Sequence, residues 1–404
     1  MVESSNYDVI IAGGGPAGAS AAILLTSRGA RVLVIEQKKF PRPKLCGEFI
    51  SPECVPLFER LGVAAEINQA EPAPLTETVF YSSSGRQVVV PSSWFGTGTH
   101  ALGLSRAEMD ELLLRRAAAA GADVCEGASV SNVISGDGRV TGVTYKTAAG
   151  EFVCHAPMTI DATGRTRFLA RRANSGSKSQ QLKRPKIVAF KAHFENTQVA
   201  PGACEIYFYR RGYGGLSTVE NGLSNLCFIA SARDVRACDT DPDRVLKEVV
   251  CRNQRAQVAL QNARISSPWL AVSLESFGRH SVAPVPGLLT IGDAASFIDP
   301  FTGSGILMAL QSGELAAEFI VKFLEREPNL RTLEDLGRSY REAYRRVFDS
   351  RLRICSLMRR AAFASEFANL AILLFGWSDG LRQRLTRATR GAHGETYSVP
   401  NRVR

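Results

Sequence analysis

Hydrophobic positions near the start of the chain form a strand–turn–helix–strand pattern. Residues 7–12 are a short apolar run of β type, residues 13–18 a glycine-rich turn, and residues 19–28 a stretch of small and aliphatic side chains that predicts a helix. Gly29 closes that helix, because glycine takes the left-handed C′ conformation without a Cβ penalty. Residues 31–36 (RVLVIE) stay apolar until the last position, as expected of a strand buried on both faces and parallel to the first. A proline-broken loop, 38–50, follows.

Further along, residues 105–120 (SRAEMDELLLRRAAAA) predict a helix with Ser105 as N-cap and Glu108 at the capping-box position. Val124, Val130, residues 140–145 and residues 152–154 suggest a small β-meander, turning at Gly136-Asp137-Gly138 and Ala149-Gly150. Residues 158–161 read as a core strand. Residues 187–194, 205–209 and 225–230 alternate or run β-rich, which predicts an antiparallel sheet in a second lobe. Residues 287–292 are one more buried strand, followed by a glycine-punctuated helix start near 303–306.

Two stretches carry chemistry. Gly13-Gly14-Gly15-Pro16-Ala17-Gly18 fits GxGxxG between a strand and a helix. Gly13 permits the tight turn, Gly15 lets a pyrophosphate approach the backbone, and Gly18 allows close helix–strand packing. The helix N-terminus offers free N–H groups and a favourable dipole to the phosphates. Glu36 ends the second strand at the offset of an acid that binds a ribose hydroxyl pair. Much later come Leu289-Thr290-Ile291-Gly292-Asp293-Ala294-Ala295 and Asp299-Pro300-Phe301-Thr302-Gly303-Ser304-Gly305. There Asp293 is placed to accept from ribityl hydroxyls. The N–H groups of Gly303, Ser304 and Gly305 are placed to offset charge on a reduced flavin. Alone, Asp293 reads equally as an N-cap.

The pair GGGPAGASAA and IGDAASFIDPFTGSG resembles the glutathione-reductase-type flavoprotein group, which includes aromatic hydroxylases, flavin-dependent halogenases and geranylgeranyl reductases. Ile160-Asp161-Ala162-Thr163-Gly164-Arg165 resembles the middle motif of that group, in a form nearer the reductases and halogenases. Lys44-Leu45-Cys46-Gly47-Glu48 resembles the Cys-Gly loop of geranylgeranyl reductases, the branch to which the chain looks closest. The resemblance implies FAD, and cofactor contacts at Lys44, Cys46, Gly47, Arg106, Val130, Asp161, Gly164, Gly292 and Pro300 beside the motif residues above. It also implies that Cys46 lies at the flavin ring, tuning it or assisting proton delivery; the plainer reading is a small cysteine packed under the cofactor.

What the resemblance implies for the fold is an α/β architecture. A Rossmann-type FAD-binding domain (1–72, 98–180 and 281–335) carries an inserted antiparallel-sheet substrate domain (73–97 and 181–280) and a C-terminal helical, basic arm (336–404). The chain departs from the group at Tyr213-Gly214-Gly215-Leu216-Ser217-Thr218. It keeps the tyrosine of the reductases' Tyr-x-Trp-x-Phe-Pro signature and lacks the rest; the halogenase Trp-x-Trp-x-Ile-Pro signature is absent too. No second GxGxxG follows a strand, so NAD(P)H or another external donor is expected to act without a lobe of its own. Three functions compete: a reductase of a lipophilic (isoprenoid or polyketide-like) substrate, an NAD(P)H-using monooxygenase of an aromatic or polyketide-like one, and a non-catalytic flavin- or lipid-binding protein.

Composition changes this picture little. The 404 residues are 45% apolar and 22% charged, ordinary for a globular chain. Nine cysteines without a CxxC pair fit reduced thiols and a cytoplasmic setting. A polar N-terminus bearing Glu3 predicts no secretory signal. The five histidines show neither triad nor metal spacing, so none is assigned a role and no metal is expected. Charge is uneven: residues 341–404 hold 13 arginines, no lysine and five acidic residues, a net +8 of the chain's +10. With no nucleic-acid module in view, anionic lipid or solubility explains this better than nucleic acid. Residues 361–377 (AAFASEFANLAILLFGW) lie between basic flanks. They read as a helix closing the substrate cavity or as one lying in a membrane interface.

Overall fold

The computed structural model describes residues 7–95, 99–173, 187–274, 277–299, 301 and 303–363, with 380, 383 and 384. Strands Leu288–Thr290, Met158–Asp161, Val9–Ala12, Val32–Glu36 and Asp123–Glu126 lie side by side in that order, every pair parallel. The first four are buried along their whole length, as continuous apolar runs require when both faces are covered, here by helices on one and by the strands of residues 129–155 on the other. Ala12 pairs with Asp161, and Asp161 pairs with Thr290. This register brings three stretches far apart in sequence to the carboxyl edge of one sheet, where ligands of open parallel sheets bind.

Helix Pro16–Thr26 packs against helix Gly305–Leu324. Their contact depends on Gly313, where a Cβ would come 2.4 Å from the Ala17 carbonyl oxygen. Strands Ser129–Gly136, Arg139–Thr147 and Gly150–His155 form the meander, whose first turn places both Asp137 and Gly138 at positive φ.

The second large sheet runs Arg264–Ile265, Ile187–Glu195, Ser224–Ser231, Gly212–Thr218, Ala203–Tyr209, Glu77–Tyr81 and Gln87–Pro91, with Leu270–Leu274 also on Ile187–Glu195. It is mixed rather than wholly antiparallel. Glu77–Tyr81 arrives from an earlier part of the chain and pairs in parallel with Ala203–Tyr209. Phe190, Tyr207, Leu226 and Phe228 pack together on one face of this sheet, with Val235, Val245 and Ala256 of short helices. On the other face Ile206, Phe208, Tyr213 and Ile229 meet Leu45, Phe49, Phe297 and Phe301, which come from loops at the edge of the parallel sheet.

Helix Leu333–Phe363 buries Leu336, Tyr340, Tyr344 and Phe348, a four-residue repeat that makes one stripe. Those residues belong to the core around the parallel sheet. Tyr340 donates to the Thr290 carbonyl (3.1 Å) and Tyr344 to the Ser296 hydroxyl (2.9 Å). The start of the expected C-terminal arm is therefore packed on the parallel-sheet lobe. Residues 364–377, the larger part of the apolar segment, lie outside the described residues. Among the described residues no helix is long and apolar enough to cross a membrane.

Candidate cofactor cleft and the sheet face beside it

The glycine turn owes its shape to sterics that differ at each position. At Gly13 (φ +109°) a Cβ would lie 2.3 Å from the Ala162 carbonyl oxygen, and at Gly18 one would lie 1.9 Å from that of Gly13. Gly15 is different: its φ is −69°, and the nearest atom to a Cβ there is the Arg42 Nη2 at 3.6 Å. Protein packing does not demand glycine at 15; an open approach to the backbone does. No side chain caps the helix that starts at Pro16 and Ala17, so its first N–H groups face this opening.

Glu36 is buried, and its carboxylate accepts from the Gly14 N–H (2.8 Å) and the Lys38 N–H (2.9 Å). It thereby holds the turn. The Arg42 guanidinium lies 3.7 Å from Glu36 and 3.4 Å from Asp110. Its Nε is buried without a hydrogen-bond acceptor among the described residues.

Around the same opening stand Lys44, Arg106, Arg165 and Asp293. Lys44 reaches solvent but is closely ringed by protein. Lost hydration, then the Arg106 and Arg42 charges, push its ammonium below the usual lysine range, with Asp293 pulling the other way. Asp293 is half-buried and takes no hydrogen bond from the described residues. Burial raises its carboxyl above the usual range against the pull of Lys44, Arg165 and Arg106. A cationic rim, an orphaned guanidinium N–H and a carboxylate without a donor make a site matched to a ligand bearing both phosphates and hydroxyls.

Gly292 (φ +57°) sits over Ala17, its N–H donating to the Ser312 hydroxyl (2.8 Å). Gly303 (φ +60°) lies against Phe49, Ser304 is fully buried, and Gly305 opens the long helix. Gly164 (φ +68°) and Gly47 each have empty space where a Cβ would be. Asp161 is committed elsewhere. Its carboxylate accepts from Thr163 N–H (3.0 Å), Thr163 Oγ1 (2.6 Å) and Ala170 N–H (2.9 Å), so it shapes the turn rather than pointing into the opening. Val130 lies two residues past Ala128, whose N–H donates to the Glu36 carbonyl (2.9 Å), and packs toward the meander core. Pro300 lies outside the described residues.

Arg106 opens helix Arg106–Ala119, capped by Ser105, which accepts from Glu108 N–H. Its guanidinium forks onto Asp110 (2.6 and 2.8 Å) and lies beside the Cys46 sulfur. Burial opposes the charge on Arg106, but Asp110 and Cys46 outweigh it and hold the group well above its usual range.

A second set of residues, which spacing did not reveal, backs this loop. Glu48 is fully buried at φ +54°. Its Oε1 accepts from the Lys191 ammonium and from Arg106 N–H (2.8 Å), and its Oε2 pairs with His193 Nε2 (2.6 Å). Lys191 also reaches the Lys44 carbonyl (3.4 Å), and Asn225 Nδ2 donates to the Cys46 carbonyl (3.1 Å). The one available signal was Lys191 and His193 on alternate positions of a β-rich run.

The sheet face beside the loop is aromatic. Phe301 packs at 5.8 Å from Phe80, 5.6 Å from Phe208 and 5.2 Å from Tyr213, ring centre to ring centre. Phe277 stacks on Phe297 at 5.0 Å, with Arg165 over the Phe297 ring. Among the described residues no His, Cys, Asp and Glu cluster could hold a metal ion.

Such a parallel sheet, with its glycine turn and two further motifs converging on one cationic opening, defines an FAD-dependent oxidoreductase. Residues 6–336 match the FAD binding domain family, and the chain belongs to it. It is similar, at 26% identity over 339 residues (80% of each chain), to the 1H-pyrrole-2-carbonyl-[peptidyl-carrier protein] brominase of Pseudoalteromonas luteoviolacea. It is also similar, at 28% over 333 residues (79% of each), to the digeranylgeranylglycerophospholipid reductase of Thermoplasma volcanium. A solved geranylgeranyl bacteriochlorophyll reductase-like protein from Thermoplasma acidophilum shares the fold, with a TM-score of 0.78 at 23% identity, covering 95% of this chain and 96% of that one.

Proposed function

We propose that this enzyme is a geranylgeranyl reductase-like flavoprotein that reduces a lipophilic substrate, isoprenoid or polyketide-like, with electrons from NAD(P)H or another external donor. The residues fit FAD. The 13–18 turn and Arg42 would hold its diphosphate, Glu36 its ribose, Asp293 its ribityl chain, and the N–H groups at 303–305 its ring edge. Bound FAD supplies the two-electron chemistry.

The observation that carries the reading is the Cys46–Gly47 turn. It is pinned to the cleft by Arg106 and to the aromatic sheet by Asn225 and Lys191, so it stands between a polar cofactor site and an apolar face. An apolar substrate would bury its surface on Phe80, Phe208, Phe301 and Ile206.

A monooxygenase reading is favoured by a different observation. Strand Gly212–Thr218 keeps Tyr213 but lacks the Trp and Phe of the reductase signature, and the brominase is about as similar as the reductase. The arginine-rich stretch from 341 onward suits contact with anionic headgroups, which co-sedimentation with anionic liposomes tests.

The deciding experiment is turnover of the reduced holoenzyme with geranylgeranyl-bearing lipid without oxygen. A saturated product and reoxidised flavin support the reductase. A reaction that needs oxygen and yields a hydroxylated product supports the monooxygenase.

A further inference from the structure

We propose that His193 is an acid–base residue of the substrate site, exchanging a proton with the bound acceptor, and that Glu48 is its positioning residue. This rests on the reading above that an acceptor binds between the cofactor cleft and the aromatic sheet. The two oxygens of the buried Glu48 have separate partners. The Lys191 ammonium and the Arg106 N–H hold Oε1. His193 alone takes Oε2.

Its ring is held at one end only. Nε2 is fixed on Glu48, while Nδ1 has no partner among the described residues, and the side chain keeps 18% of its exposure. A carboxylate that fixes one nitrogen sets the tautomer and leaves the other nitrogen to move protons.

Placement agrees with this. Side chains alternate along Ile187–Glu195: Phe190, Ala192 and Phe194 face the short helices, and Ala189 faces the aromatic side, so Lys191 and His193 share the face of Ala189. Directly across from His193 in register is Asn225, which grips the Cys46 carbonyl through Nδ2 and whose Oδ1 is buried without a partner. Glu48 itself is held in the left-handed region, which residues other than glycine rarely adopt. The charged groups around the imidazole are Glu48 and, through Glu48, Lys191, with the Cys227 thiol next to Lys191 and Glu48.

The step is a proton transfer. As the acceptor gains its electron pair, the imidazolium Nδ1–H bond breaks and its electrons stay on nitrogen. The proton forms a new O–H or C–H bond on the acceptor, and water reprotonates the ring.

The test uses full-length, FAD-loaded protein with 15N-labelled histidine, in wild-type form and as H193Q, whose amide still donates to Glu48 and so preserves the fold. The expected spectrum, assigned by the signal missing from H193Q, shows Nε2 carrying a proton held by Glu48. In stopped flow, dithionite-reduced enzyme is reoxidised by menadione. The wild-type rate falls as pH rises, whereas H193Q is flat and slower by at least ~10-fold. An Nε2 without a proton, or one pH profile shared by both proteins, overturns the assignment of His193. A reduced flavin that neither menadione nor a geranylgeranyl-bearing lipid reoxidises overturns the functional reading instead.

Discussion

The Tyr213 hydroxyl donates to the Asp299 carboxylate, joining the middle of the mixed sheet to the loop that enters helix Gly305–Leu324. Asp299 also accepts from Phe301 N–H (3.0 Å), and that loop seats Phe301 among Phe80, Phe208 and Tyr213. Burial, then the neighbouring Asp299 charge, keep the phenol protonated well above the usual tyrosine range, so the donor is permanent. Tyr213→Phe strips a buried carboxylate of a donor, and a loss of about 1–3 kcal/mol is expected. Urea unfolding should show a lower midpoint at unchanged slope; an unchanged midpoint would mean that the contact is idle.

Two glycines of one turn should behave differently. Gly15→Ala adds a methyl into open space, so the apoprotein should melt as the wild type does while FAD affinity falls at least ~10-fold, the methyl occupying the path of the diphosphate. Gly18→Ala drives a Cβ into the Gly13 carbonyl and should destabilise the fold itself by about 1–3 kcal/mol. Differential scanning calorimetry with and without FAD separates the two. Equal losses of apoprotein stability would refute the distinction.

Asp293 makes a prediction about pH. Its carboxyl is raised in the folded apoprotein, so its contribution to stability is present below the unfolded carboxylate range and is lost as pH rises through the folded value. Asp293→Asn should therefore raise the melting temperature of the apoprotein at neutral pH. That gain should fade toward acid, where the wild-type group is neutral too. The same variant should bind FAD more weakly. A melting difference independent of pH would show that the carboxyl is not perturbed.

Cys46 lies against the Arg106 guanidinium, with its carbonyl held by Asn225. Cys46→Ala should keep FAD within about threefold of its affinity and slow flavin reoxidation by substrate at least ~10-fold. Unchanged rates would leave the sulfur as packing under the cofactor.

Much of this arrangement was legible in the chain. Glycines with a strand before and a helix after announce a phosphate-binding turn, and continuous apolar runs at 31–36 and 158–161 announce buried parallel strands. What stayed hidden has physical reasons. Strand Gly212–Thr218 is rich in glycine, so propensity argues against it. Only the fold shows that side chains at Gly212 and Gly214 would collide with Ile229 and Phe228. The parallel pairing of Glu77–Tyr81 is set by tertiary contact, which alternation does not encode. Sequence likewise cannot show that three local N–H and O–H donors already use the Asp161 carboxylate. Glu48 lies more than 140 positions before Lys191 and His193, and the three meet only when the sheet closes on the loop.

The convergence of Ala12, Asp161 and Thr290 at one sheet edge is the foundation of the account, and FAD binding tests it most directly. Titration of the folded apoprotein with FAD, followed by calorimetry and the visible spectrum, should give one flavin per chain, with binding weakened by Gly15→Ala and by Asp293→Asn. A folded protein that takes up no FAD, or takes it up equally well in both variants, would contradict it.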